Sequence, residues 1–562
     1  MFTREISYNK KEMKTRFALI IFSFTLFYLI LVFNLYTIQV KKGDLYTARA
    51  ESQISSKDLT AARGSIYFSD KDGNFIPAAI EKKYYEIYAV PTEIEDAAEA
   101  AETLSPVFDI EKEELLRMFS KEKDQYELLK SRVAEEDLAS YSEAENVKGI
   151  YKKAEPSRFY PLEKIGAHIL GYTSFDEETS MLSGKYGAES YFNELLSGEN
   201  GGAEGDKTKR PIAGEDLFLT IDRNIQYQAE EILEKLVSNY KGKSGSVLVE
   251  DPKTGRILAM ASIPSFDPNS YSKYPIENFL NPSVQSIYEP GSIFKIFTMA
   301  AGLDSGAVTP ETTYYDSGEV KMNGRTIKNW DLKAHGTQTM TNVIEQSLNT
   351  GMVFVEKQIG HSKFLEYMNT FGFDEKTEIT LPGEVAGTFG NLEKNPQDIN
   401  FATASFGQGV SLTPIGLLRG VSAIANGGVL IKPTVNARDG IKEEGAAVGK
   451  DAAKKITEMM VSAVEKAQVA AISGYNVAGK TGTAQVPNFK KGGYTDEVIN
   501  TYSGFAPAFD PRFVILIKLD EPVGAPLAGQ TVVPAFRELA EFILNYYNIP
   551  PDKETEKNKT ND

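Results

Sequence analysis

Apolar and polar positions along this chain follow three rhythms, and each predicts a different kind of element. The first is unbroken: from Phe17 to Val40, FALIIFSFTLFYLILVFNLYTIQV carries no charge over about 24 residues, where a bilayer core needs roughly 20. It predicts one membrane-spanning helix, residues 17–40, after a cytoplasmic N-terminus of residues 1–16. Arg4, Lys10, Lys11, Lys14 and Arg16 precede it, and Lys41, Lys42 and Arg49 follow. That modest excess puts the N-terminus inside and the rest of the chain outside. A cleaved signal peptide is the competing reading, because Ala48-Arg49-Ala50 has a small-x-small pattern. The run is longer than the roughly 7–15 residues of a signal h-region, and charges separate it from that site.

The second rhythm is helical. Asp109 to Glu145 is charged and helix-like, and reads as a solvated helical lobe. NIQYQAEEILEKLVSNY and PAFRELAEFILNYY space their apolar residues for amphipathic helices. The third rhythm belongs to strands. LFLTID reads as one, SGSVLVEDPKTGRILAMAS as two joined by a turn at Asp251-Pro252-Lys253-Thr254-Gly255, and SGFAPAFDPRFVILIKLDEP as another pair. Strands at both ends with helices between predict an α+β domain whose sheet joins its two ends. A soft stretch, SGENGGAEGDKTKRPIAGEDL, separates it from what precedes. The boundary is drawn at Asp206, giving an N-terminal domain at 41–205, the α+β domain at 206–548 and a disordered polar tail at 549–562.

Composition narrows the chemistry. The 562 residues are 41% hydrophobic and 25% charged, a globular balance with room for two or three cores. With no cysteine, thiol catalysis, disulfides and cysteine-held metals are excluded. His168, His335 and His361 are the only histidines, so a histidine-rich metal site or a Ser-His-Asp triad has few candidates. A net charge of −17 argues against nucleic acid as a partner.

A serine nucleophile in a histidine-poor chain needs another base, and a lysine in a dry, electropositive site can serve. Ser-x-x-Lys on a helix places both side chains on one face. The spacing occurs at Ser7, Ser120, Ser238, Ser270 and Ser292, so alone it means little. Ser292 stands apart through its setting, EPGSIFKIFTMAAGL. Pro290 and Gly291 break the chain just before it, and a helix start there favours developing negative charge. Ile293, Phe294, Ile296 and Phe297 are expected to bury Lys295 and bring its pKa down by about 3 units, as a base near neutral pH requires. Read alone, the pair is an N-capping serine and a solvated lysine. Two later motifs reverse that preference: Ser347-Leu348-Asn349, and Lys480-Thr481-Gly482-Thr483 on a strand, where Gly479 and Gly482 are expected to leave room for a ligand. S-x-x-K, S-D-N and K-T-G in this order are a known signature of beta-lactamases and penicillin-binding proteins. Leu348 is the one departure.

On these motifs the sequence resembles the class B penicillin-binding proteins, monofunctional transpeptidases of bacterial wall synthesis. The resemblance covers nearly everything after the anchor. RGSIYFSDKDG, RFYPLEKIGAHILGY and YGAESYFNELLSGENG are similar to the family's N-terminal pedestal, a dimerisation-like domain. EPGSIFK, SLNTG, FGFDEKTEITLPGE, ATASFGQGVSLTPIGLLRGVSAIANGG and GKTGTAQ are similar to its catalytic domain. The implied fold is a serine transpeptidase/beta-lactamase-like domain, an antiparallel sheet flanked by helices plus a helical subdomain. The resemblance further implies the roles. Ser292 attacks the D-Ala-D-Ala carbonyl of a stem peptide, and Lys295 takes its proton. Ser347 and Lys480 pass a proton to the leaving amine. Asn349 bonds the donor peptide and steadies Lys295, and Thr481, Gly482 and Thr483 receive the substrate carboxylate. The backbone N–H groups of Ser292 and Thr483 form the oxyanion hole. Beta-lactams acylate Ser292 as mimics, no metal or organic cofactor takes part, and a polytopic membrane glycosyltransferase with divisome or elongation proteins are the partners. The EPGS form leans toward the septal role.

Arg63 and Asp222 read as structural. Trp330 reads equally as a cleft wall or as a satisfied core or loop tryptophan, and His335 as a loop hydrogen-bonder. The competing functions are a D,D-carboxypeptidase, a beta-lactamase, a beta-lactam-sensing receptor and a non-catalytic scaffold. No glutamate loop suited to lactamase deacylation follows Ser347, and about 16 residues before Phe17 leave a receptor no room for a cytoplasmic effector.

Overall fold

The computed structural model describes residues 10–37, 61–121, 123–176, 182–204, 207–488 and 492–553. Residues 38–40 of the expected span, Lys41, Lys42, Ala48-Arg49-Ala50, Asp206 and the tail after Lys553 lie outside them. The chain divides into two compact units, Met1–Ala62 with Gly198–Gly214, and Arg63–Ser197 with Glu215–Asp562.

The first unit holds helix α1, Lys10–Tyr36. Its stretch Arg16–Tyr36, 21 residues, is long and apolar enough to cross a membrane. Thr25 and Thr37 each donate a hydroxyl to the carbonyl one turn back, on Ile21 and Phe33, both at 2.8 Å. Such self-pairing satisfies these two hydroxyls within the helix itself.

The second unit begins with strands β1 (Ile66–Ser69) and β2 (Phe75–Ala89), helices α2 (Ala97–Phe108) and α3 (Lys112–Phe119), and strands β3 (Glu127–Ala134) and β4 (Ile150–Phe159). Leu104, Phe108, Leu115 and Phe119 of the helices share a small core with Leu129 and Val133 of β3. Here the expectation of a helical lobe from Asp109 to Glu145 fails in part, because ELLKSRVA is strand β3 on the edge of β2, with Tyr85 opposite Val133. Pairing with a distant strand overrides a charged, helix-like composition. Short helix α4 (Gly187–Tyr191) supplies Glu189, wholly buried between Arg63 and Arg158. Arg63 is thus structural, as expected.

Strand β5 (Leu217–Asp222) pairs in parallel with β1, so the sheet runs β3-β2-β1-β5, with β4 also on β2. LFLTID, expected to open the α+β domain, completes the N-terminal sheet instead. Asp222 then caps α5 (Arg223–Tyr240), accepting from the N–H groups of Asn224 and Ile225. Strands β6 (Ser244–Asp251) and β7 (Arg256–Ile263) form the expected hairpin; Gly255 at φ +71° supplies the left-handed residue of its turn.

A helical subdomain follows. It comprises α6 (Lys295–Asp304), the pair β8 (Thr313–Asp316) and β11 (Gly336–Thr339), the hairpin β9 (Glu319–Met322) and β10 (Arg325–Lys328), and then α7 (Met340–Gln346), α8 (Asn349–Ile359), α9 (Pro414–Ala425) and α10 (Lys450–Ala467). Strands β12 (Ala478–Pro487), β13 (Tyr494–Ala506) and β14 (Phe513–Asp520) and closing helix α11 (Val532–Tyr546) complete the unit. The second five-stranded sheet is antiparallel in the order β7-β6-β14-β13-β12, so β6 beside β14 joins the two ends of the domain as predicted. The period of two explains why FVILIKL is almost wholly apolar. Phe513, Ile515, Ile517 and Leu519 face one core with Ile225, Leu233, Phe536 and Leu539 of α5 and α11. Val514 and Leu516 face the other, with Ile296, Phe297, Leu417 and Val421 of the helical subdomain. Strand β12 lies at the sheet's edge.

Candidate active site

The turn that carries Ser292 is built from backbone freedom followed by apolar bulk. Gly291, at φ +55°, turns the chain into a 3₁₀ segment, Gly291–Phe294, that continues into α6. Ser292 is half-buried on it. Ile293, Phe294, Ile296 and Phe297 are fully buried, and they carry Lys295 inside with them at 0% exposure.

Two glycines hold this turn against its neighbours. Gly407, at φ +83°, receives the Gly291 N–H on its carbonyl at 3.1 Å, and a Cβ on it would lie 2.1 Å from the Gly291 carbonyl. Gly407→Ala is therefore expected to cost about 1–3 kcal/mol and to slow any reaction at Ser292; a denaturant titration beside an acylation time course checks both. Gly482 likewise lets the Pro290 carbonyl and Ile293 press on β12, its would-be Cβ lying 2.7 and 3.1 Å from them. At Gly479 the space is taken by the Tyr502 hydroxyl, 2.0 Å from a would-be Cβ. The expectation that these glycines make room for a ligand is corrected: both admit atoms of the protein itself, because β12 must pack on the Ser292 turn and on β13.

Lys295 Nζ lies 2.6 Å from the Ser347 carbonyl, 2.7 Å from Asn349 Oδ1 and 3.1 Å from Ser347 Oγ. Lys480 Nζ donates to the same Ser347 Oγ at 2.9 Å and to the Thr481 carbonyl at 3.1 Å. Ser347 can face both amines because it ends α7 in the left-handed region, φ +56°, which turns its carbonyl and hydroxyl to one side. Burial first, then the charge of Lys480, holds Lys295 well below the ordinary lysine range. Burial brings Lys480 down to about 7. A neutral Lys295 has two N–H groups, enough for the two nearer oxygens, the Ser347 carbonyl and Asn349 Oδ1, which leaves its lone pair free of them.

The remaining expected residues fall around this centre. Asn349 Nδ2 donates one of its two N–H groups to the Lys328 carbonyl at 2.8 Å. Thr481 is half-buried and Thr483 exposed on β12, with Thr483 Oγ1 donating to Asn500 Oδ1 at 3.4 Å. Trp330 is 61% exposed and donates Nε1 to the Gln346 carbonyl beside Ser347, so it is not a core residue. His335 bonds through its backbone N–H to Asp316.

Sequence reasoning passed over Glu289. Its buried carboxylate accepts from the Gly409 N–H at 3.0 Å and from the Tyr494 hydroxyl at 3.0 Å, tying the Ser292 turn to the 405–412 loop and to β13. Its place directly before Pro290-Gly291-Ser292 was the available signal. It also passed over Asn500, wholly buried behind Thr483 and held by the Ala525 carbonyl and Thr531.

The family described as "Penicillin binding protein transpeptidase domain" matches residues 245–541, and "Penicillin-binding Protein dimerisation domain" matches 58–215. The chain belongs to the class B penicillin-binding proteins. It is 30% identical over 560 residues to stage V sporulation protein D of Bacillus subtilis, covering 94% of this chain and 85% of that one. It is 29% identical over 545 residues to peptidoglycan D,D-transpeptidase FtsI of Escherichia coli K12, covering 92% and 88%. The crystal structure of penicillin binding protein 2X from Streptococcus thermophilus shares the fold, with a TM-score of 0.74 at 24% identity over 88% of this chain and 81% of that one. This penicillin-binding protein has a transpeptidase role in cell-wall synthesis, and Ser292, Lys295, Ser347, Asn349 and Lys480 all lie within the transpeptidase match. The D,D-transpeptidase reading of the sequence and its expected fold class are both borne out.

Proposed function

We propose that this transpeptidase cross-links peptidoglycan stem peptides through an acyl-enzyme on Ser292. The observation that carries the reading is Lys295. It sits three residues after a half-buried serine, wholly buried, with its two strongest hydrogen bonds running to acceptors.

Ser292 Oγ attacks the carbonyl between the terminal D-alanines, and its proton passes to the Lys295 lone pair. The C–N bond then breaks. The leaving amine takes a proton through the Ser347 hydroxyl, which Lys480 holds and polarises. The N–H groups of Ser292 and Thr483 receive the oxyanion, each such donor being worth about 3 kcal/mol. Edge strand β12 offers the donor peptide an unpaired row of backbone groups, and Thr481 and Thr483 receive its terminal carboxylate. The amine of a second stem peptide attacks the ester carbonyl, forms the cross-link and returns the proton to Ser292 Oγ. Beta-lactams acylate the same serine. Helix α1 anchors the chain in the cytoplasmic membrane with its basic end inside and the catalytic unit outside. A polytopic glycosyltransferase and division proteins are the partners, in keeping with a septal role.

Full-length protein in detergent, treated with a fluorescent penicillin, is expected to gain one adduct that maps to the peptide bearing Ser292 and persists. The same protein given two stem peptides is expected to yield the cross-linked dimer. Rapid release of hydrolysed drug, or an adduct elsewhere, would overturn the mechanism; hydrolysed peptide without dimer would make it a carboxypeptidase.

A further inference from the structure

Segment 328–330 is stitched to the Ser347 turn at three successive residues. The Lys328 carbonyl accepts from Asn349 Nδ2 at 2.8 Å, Asn329 Oδ1 accepts from the Thr350 N–H at 3.2 Å, and Trp330 Nε1 donates to the Gln346 carbonyl at 2.9 Å. Beneath them, at the end of β8, lies Asp316, at 0% exposure. Its Oδ1 accepts from Thr350 Oγ1 at 2.8 Å and from the Gly318 N–H at 2.9 Å. Its Oδ2 accepts from Asn329 Nδ2 at 2.8 Å and from the His335 N–H at 3.1 Å. Four donors converge on one carboxylate, and no lysine or arginine among the described residues forms an ion pair with it. The Tyr314 hydroxyl backs Thr350 Oγ1 at 3.1 Å.

A side-chain amide can present oxygen or nitrogen to the same neighbour by a half-turn, and the hydrogen-bond network decides which. Here the deciding contact is the Lys328 carbonyl. It can only accept, so it draws Asn349 Nδ2 and leaves Oδ1 for Lys295. With the amide reversed, an N–H would point at the lone pair of neutral Lys295, which must stay free for the Ser292 proton. The Lys328 carbonyl is in turn placed by its neighbour Asn329, which Asp316 and Thr350 grip from two sides.

We propose that Asp316 is a positioning residue for acylation: through Asn329 and Thr350 it fixes the Asn349 amide with its oxygen toward Lys295. The proposal rests on the Ser292–Lys295 reading above, and it adds a requirement that the residues of the three motifs do not themselves contain. It acts on the rate of proton removal and leaves penicillin binding alone.

The test is stopped-flow acylation by a fluorescent penicillin, using full-length protein and the variants Asp316→Asn, Thr350→Ala, Thr350→Ser, Asn349→Ala and Asp316→Asn with Asn349→Ala. The limiting rate is expected to fall about tenfold or more in Asp316→Asn and Thr350→Ala, as a misplaced catalytic group predicts. The half-saturating concentration stays put, and Thr350→Ser, which keeps the hydroxyl, recovers the rate. Asp316→Asn adds nothing to the loss in Asn349→Ala, because both act on one amide. Unchanged rates in Asp316→Asn and Thr350→Ala, or losses that multiply in the double variant, overturn the proposal. Should Asp316→Asn fail to fold, the Thr350 pair decides alone: equal rates in Ala and Ser sink it. A wild-type chain that is not acylated on Ser292 overturns the underlying mechanism first, and is told apart from the other failures by the wild-type trace.

Discussion

Lys295→Met is expected to slow acylation of Ser292 by about 10³-fold, the scale of losing a general base. The reasoning starts from burial. Lys295 is at 0% exposure, and its environment, with Lys480 nearby, disfavours its charge. In the proposed mechanism this amine, its charge disfavoured, is the base, and no histidine in this centre could replace it. Methionine fills a similar space and needs no partner. It does leave the Ser347 carbonyl and Asn349 Oδ1 without their donor, at a cost of about 1–3 kcal/mol, so a thermal melt must accompany the kinetics. Lys295→Arg is expected to be as inactive, because a guanidinium does not give up its proton. The wild-type pH profile carries a matching sign. Acylation rises as pH climbs through the lowered value of Lys295, which must be unprotonated to act. It declines as pH passes above about 7, where Lys480 loses the charge that polarises Ser347. A Lys295→Met chain acylating within about tenfold of wild type would put the base elsewhere.

Glu189→Gln is expected to destabilise the second unit by about 3–5 kcal/mol, the usual result of leaving buried charges without their counter-ion. Glu189 Oε2 accepts from Arg63 Nε at 2.8 Å and lies 2.7 Å from its Nη2. Oε1 accepts from Arg158 Nε at 2.6 Å and from the Tyr160 hydroxyl at 3.3 Å. The three charged side chains are at most 4% exposed, so water cannot replace the carboxylate. Glutamine keeps the shape but turns an amide against two guanidinium groups. The bond network joins the approach to β1 (Arg63), β4 (Arg158) and α4 (Glu189), so its loss falls on the N-terminal sheet. Urea unfolding followed by circular dichroism reads the change; a loss below about 1 kcal/mol would mean that the guanidinium bonds to the Gly64 and Glu189 carbonyls suffice. Exchanging all three residues for apolar ones is expected to cost less than Glu189→Gln alone, since no charge is then stranded.

What could be read without the structure was local. A run of apolar residues as long as a bilayer is thick, the 251–255 turn between two apolar strands, and the one-turn spacing of Ser292 and Lys295 each depend on a few neighbouring residues. Sterics and the periods of helix and strand act at that range, so these elements were legible. The apolar block around Lys295 was legible too, and with it the direction of the lysine's shift. The family's motifs named Ser347, Asn349 and Lys480 without saying how they meet.

Contacts between distant segments were decided only by the tertiary structure. β3 formed inside a charged, helix-like stretch because β2 offered it an edge. β5 went to β1 in parallel, and nothing in LFLTID states that partner. Gly479 and Gly482 proved to be spaces for Tyr502 and Pro290. The amide of Asn349 was turned by a carbonyl at Lys328, which a carboxylate at Asp316 holds through Asn329. Patterning along the chain sets which face of an element is buried; which atom lies across that face depends on how remote segments close on one another, and that closure appears only in three dimensions.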